Sequence, residues 1–123
     1  MKKRYGFLLL LIDIFFLYIF MIQKYKKMVL NIQGYPMKSN PLYVVLSYLL
    51  MIYGLYDFVL PRINSKGDWI HGVKFGIIVY GVYDFVCASI FNKWNKKLMI
   101  IDIMWGGIVY GMISYIYEKL EIL

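Results

Sequence analysis

One cysteine and one histidine are all that this chain of 123 residues offers to sulfur or imidazole chemistry. Cys87 has no partner for an internal disulfide and stands inside an apolar run, where a buried apolar role suits it. His71 has no second His or Cys to complete a metal site and fits an interfacial side chain at the entrance of a span. A glycine-rich phosphate loop, a Ser–His pairing and zinc-ligand spacing are missing as well, so no cofactor is expected and no residue is assigned a catalytic role. The last absence is positional. None of the 14 Lys and Arg lies in the centre of an apolar run.

Apolar residues dominate instead. They make up 62% of the chain, aromatics 20%, and the mean hydropathy is +0.63, well above the roughly 45–50% apolar content of soluble domains. They gather into four blocks, at about residues 5–22, 42–60, 70–91 and 98–117, each close to the roughly 17–25 residues that cross a bilayer as a helix. The expectation is a single all-α domain, an integral membrane bundle of four antiparallel transmembrane helices. A basic start followed by an apolar run also describes a signal peptide, but the exit MIQKYKK lacks a small-residue cleavage site, so this segment is expected to stay. Asn40-Pro41 suits the opening of the second span, with an N-cap followed by proline at the first helical position, and Pro61 suits its end. The connectors PRINSKGD and NKWNKK are short enough to make consecutive spans antiparallel neighbours. Residues 23–39 have room for an interfacial turn or short helix.

The basic residues sit at span ends. Lys2, Lys3, Arg4, Arg62, Lys66, Lys74 and Lys119 fall on one side, and Lys24, Lys26, Lys27, Lys38, Lys93, Lys96 and Lys97 on the other. Juxtamembrane placement points to lipid headgroups as partners rather than nucleic acid. The equal count leaves orientation open. Trp69 and Trp94 stand at span ends, where an aromatic belt would put them.

The acids are less conventional. Asp68, Glu118 and Glu121 belong to span ends, but Asp13, Asp57, Asp84 and Asp102 each interrupt one apolar block. Four ionised aspartates in oil would cost on the order of 10 kcal/mol together. Without an intramembrane base they need a proton, hydrogen-bond donors, or a bound cation or water. The string YGLYDFVL at residues 53–60 returns as YGVYDFVC at 80–87. Helical spacing puts Tyr53, Gly54 and Asp57 on one face and does the same for Tyr80, Gly81 and Asp84. Both copies therefore read as polar helix-contact units. LIDIFF at 11–16 echoes IIDIMW at 100–105, with Asp102, Trp105, Gly106 and Tyr110 forming a stripe. Gly72/Gly76 and Gly107/Gly111 have close-packing spacing. Measured from the N-terminal side, Asp57, Asp13, Asp84 and Asp102 lie about 5, 12, 18 and 22 Å deep, as a ladder. The interior is expected to be lined by Asp13, Asp84 and Asp102, supported by Asp57, Tyr53, Tyr80, Trp105 and Gly106. Such a cluster suits proton or cation handling. The alternatives are a membrane-embedded lipid-modifying enzyme or subunit, and a structural or assembly role. A homo-oligomer is the form that a channel this small would take.

These motifs resemble a known family. A first span with IDIFF, a proline-terminated second span, YGVYD in the third and IDIMWG opening the fourth resemble the predicted membrane proteins of domain-of-unknown-function family 2177, found in bacteria and viruses. The resemblance implies four spans and places Asp13, Asp84, Asp102, Trp105 and Gly106 on the family pattern. The chain departs from that pattern in three places: Phe16 stands where a tryptophan is usual, Val86-Cys87 stands where Thr-Asn is expected, and Asp57 is an addition.

Overall fold

The computed structural model describes residues 3–123, so Lys2 lies outside the described residues. Four helices are long and apolar enough to cross a membrane: α1 (Arg4–Gln33), α2 (Pro41–Arg62), α3 (Ile70–Ile90) and α4 (Lys96–Ile122). No strand occurs among the described residues. The expected multi-pass helical architecture is therefore present.

Local chemistry explains the ends. Asn40 accepts the Leu42 N–H at 3.0 Å and Pro41 follows at the first helical position. Asn95 does the same for α4, accepting from Lys97 and Leu98 at 2.9 and 3.1 Å. Pro61 lies in the short 3₁₀ turn that finishes α2. In the connector that follows, the N–H groups of Asn64 and Ser65 point at the Asp68 carboxylate and hold it below the usual carboxylate range. Glu118 is buried against the start of α3 and accepts the Trp69 N–H at 3.1 Å, capping one helix from the end of another.

The short helix for which residues 23–39 have room is present, but it is continuous with the first span. The helix does not stop at Ile22 but runs through the supposed connector to Gln33. Lys24, Lys26 and Lys27 end the apolar run, but a helix has no need to end where polarity changes. It ends where the backbone is released, at Gly34, whose φ of 81° and N–H bond to the Leu30 carbonyl at 2.9 Å form a left-handed C-cap. Between its two α-helical parts, α1 carries a π-turn over Leu17–Met21. A second π-turn spans Leu55–Val59 in α2.

Contacts run in opposite directions between sequential helices. Gly6 meets Tyr56 while Asp13 meets Tyr48, and Trp69 meets Glu118 while Tyr80 packs on Gly106. The first helix also runs against the fourth, since Arg4 and Tyr5 reach Glu121 and Phe16 stacks on Trp105. One apolar core, including Leu9, Leu55, Val59, Tyr110 and Ile113, fills the half of the bundle near the start of α1. Another, built from Met21, Met28, Trp94, Leu98 and Met99, fills the half near the α3–α4 turn. Outward positions such as Phe15, Leu50 and Phe85 are exposed and apolar, as lipid contact requires.

The closest approach is between α3 and α4. A Cβ at Gly76 would fall on the Gly106 carbonyl, one at Gly72 on the Ser114 side chain, and one at Gly111 on Val73. In lipid, helices associate through van der Waals contact and hydrogen bonds rather than apolar burial, so small residues that let backbones touch are the means available. The glycine pairs expected from spacing therefore do form this seam.

Candidate functional site

Tyr5, Leu9 and Asp13 recur every four residues and are all buried on the inner face of α1. That face carries the Asp13 carboxylate into the bundle, where each of the other three helices offers it one donor. The Tyr48 hydroxyl from α2 donates to Oδ2 at 2.8 Å. The Tyr80 hydroxyl from α3 and the Trp105 indole N–H from α4 both donate to Oδ1, each at 2.8 Å. Phe16, one turn on from Asp13, stacks on Trp105 with ring centroids 3.9 Å apart. Three charge-directed donors can hold a carboxylate in oil without a cation.

The second centre is poor in donors. Asp84 on α3 is fully buried. Its Oδ1 receives only a long contact from the Trp94 indole N–H, 3.4 Å away, and its Oδ2 meets no donor. Nevertheless Asp84 lies within hydrogen-bonding reach of the half-buried Asp102 on α4, and the Tyr25 hydroxyl of α1 faces Asp102. Two ionised carboxylates have nothing to donate to each other. A proton on either turns the contact into an O–H···O bond. Among the described residues no group of three or more His, Cys, Asp or Glu side chains converges as a metal site.

Of the expected cluster, Asp13, Tyr80, Trp105 and Gly106 meet at the first centre, where the Tyr80 ring packs against Gly106. Asp84 and Asp102 form the second. The upper two rungs of the ladder are thus one pair. Tyr80 serves Asp13 across the bundle rather than the aspartate on its own helix. Asp57 and Tyr53 must be corrected: Asp57 is exposed, and Tyr53 is 53% exposed, its ring tilted against Phe58 with centroids 6.4 Å apart. The cause lies in α2. Gly54 faces Phe75, and the π-turn that begins at Leu55 winds the chain more slowly than an α-helix, so Asp57 slips off the Gly54 face. The two copies of one string therefore occupy different surroundings. Asp57 is the one aspartate of the four left outside.

Three residues were missed. Tyr48 had a legible signal, being a phenol deep in an apolar block that needs a hydrogen-bond partner. Trp94, at a span end where an aromatic belt is expected, is instead buried with its N–H toward Asp84. Tyr25 was hidden in the supposed connector.

The family model described as a predicted membrane protein, domain of unknown function 2177, matches residues 4–117. The chain belongs to this family. Within it, this member is an integral, multi-pass membrane protein whose four helices cover the matched region. No curated protein and no solved structure matches it.

Replacing Asp13 should loosen all four helices at once. Asp13→Leu strands three donors and should cost about 2–5 kcal/mol, three interhelical hydrogen bonds on the membrane-protein scale. Asp13→Asn, which keeps one acceptor oxygen, should fall between that variant and wild type. Reversible unfolding in mixed micelles measures both, and wild-type stability for the leucine variant would show that Asp13 is no tie.

Proposed function

We propose that the chain takes up and releases protons within the membrane at the Asp84–Asp102 pair, with Asp13 holding the four helices around it. One observation carries this reading: among the described residues no donor reaches Oδ2 of the buried Asp84, and the same carboxyl lies within hydrogen-bonding reach of Asp102. Membrane-embedded acids that lack a basic partner are costly when ionised, and a proton shared between two of them removes one charge and supplies a donor. A proton needs only the two facing oxygens, whereas a hard metal cation takes six or more oxygen ligands. Tyr25 places a hydroxyl next to Asp102, on the side of the bundle where the α3–α4 turn emerges.

Full-length protein in liposomes with an imposed pH gradient and an entrapped pH dye provides the test. Wild type should dissipate the gradient. Asp84→Asn and Asp102→Asn should each slow it roughly tenfold or more, and Asp57→Asn should leave it unchanged because that side chain faces outward. The infrared C=O band of a protonated carboxyl should be present in wild type and lost in either pair variant. Wild-type liposomes as tight as empty ones would remove the proposal.

A further inference from the structure

Counting Lys and Arg leaves the two ends of the bundle equal, but their surroundings are not. At the end where α1 begins, the basic residues share space with Asp57, Asp68, Glu118 and Glu121, and Arg4 is paired with Glu121. At the other end no acid occurs between residues 14 and 56 or between 85 and 101. Lys24, Lys26, Lys27, Lys93, Lys96 and Lys97 are all exposed there.

This end is also a built platform. The 30 residues of α1 extend about 45 Å, beyond a hydrocarbon core of about 30 Å, so roughly its last ten residues stand at headgroup level. They are fastened to the α3–α4 turn: Lys93 Nζ donates to the Asn31 carbonyl at 3.3 Å, and the Asn95 N–H points at the Met28 sulfur at 3.2 Å. Met28 is buried in one core with Trp94 and Leu98. The α1 extension that carries Lys24, Lys26 and Lys27 is therefore fastened to the turn that carries Lys93, Lys96 and Lys97.

We propose that this platform binds the phosphate-bearing headgroups of anionic lipids. Lysine stems lie along apolar surface and carry ammonium groups to the phosphate layer, and each such lysine contributes on the order of a fivefold preference for an anionic surface. The proposal is independent of proton exchange at the carboxyl pair.

The test uses the full chain in phosphatidylcholine bilayers containing spin-labelled phosphatidylglycerol or spin-labelled phosphatidylcholine, and the motionally restricted fraction reports selection. Wild type should select phosphatidylglycerol several-fold, less so in high salt. Changing Lys24, Lys27, Lys93, Lys96 and Lys97 together to Gln should bring the ratio close to one with helix content intact. Changing Arg62, Lys66 and Lys74 to Gln at the opposite end should leave the ratio as in wild type. Absence of selection in wild type, or equal losses from the two ends, would overturn the proposal. So would displacement of the labelled lipid by millimolar inorganic phosphate at constant ionic strength, which would make the platform a site for free phosphate.

Discussion

Gly76→Ala should force α3 and α4 apart, while Gly81→Ala, five residues along the same helix, should be nearly silent. At Gly76 the added methyl meets the Gly106 carbonyl and the Gly107 nitrogen, which are backbone atoms and cannot rotate away. At Gly81 the nearest atom is Ile103 Cγ2 at 4.0 Å, an ordinary contact. The first change should cost about 1–3 kcal/mol or more. It should also disturb the first carboxyl centre, because Gly106 touches both the Gly76 carbonyl and the Tyr80 ring. Displacing α4 carries Trp105 away from Asp13 and leaves Tyr80 without its platform. Tyr80→Phe should therefore cost less in the Gly76→Ala background than in wild type, a non-additivity that a double-mutant cycle in reversible unfolding would measure. Equal costs for the two alanine variants would show that the seam is not set by backbone contact.

A one-residue deletion in the π-turn of α1 should be tolerated where a one-residue insertion is not. Twelve positions separate Asp13 from Tyr25, which in a regular α-helix sets them roughly 120° apart around the axis. The π-turn over Leu17–Met21 absorbs one residue, so the interval turns like eleven positions and the two side chains come within roughly 20° of each other. Deleting Ile19, which is 61% exposed, should convert the bulge to plain α-helix and keep both inward. Inserting an alanine at the same place should swing everything from Ile22 to Gln33 by roughly 100°, taking Met28 out of its core and Tyr25 away from Asp102. Cysteines at positions 28 and 95, in a Cys87→Ala background, report the register, because Met28 and Asn95 are in contact. Cross-linking should persist in the deletion variant and fall about tenfold or more in the insertion variant, given the short reach of a disulfide. Equal cross-linking in both would mean that the bulge has no role in register.

Much of the architecture is readable along the chain. Asn40-Pro41, Pro61 and the glycine pairs act through their immediate neighbours, so they mean the same thing in the sequence and in the fold. Lysine is a poorer guide: Lys24, Lys26 and Lys27 end the apolar run, yet only Gly34 stops the helix. The repeated YG-x-YD string shows the limit most clearly. Its two copies share spacing and composition, but in α3 the face that bears Asp84 is turned inward, while a π-turn in α2 leaves Asp57 outside. A π-turn has no composition by which it could be recognised beforehand, because it arises where packing on both sides of it demands a change of phase. Trp94 is ambiguous for a similar reason: an indole at a span end suits a headgroup belt as well as a buried acid.

From the sequence by itself it follows that four apolar helices lie in a membrane, each interrupted by an acid with no basic partner, because hydropathy depends on the solvent around each segment. Which acid is satisfied and which is left wanting was decided only by the tertiary structure. The three donors to Asp13 lie 35, 67 and 92 residues away. Pairings at such range are set by which helix faces meet and at what depth, and those depend on backbone contact at glycine and on one extra residue in a helical turn.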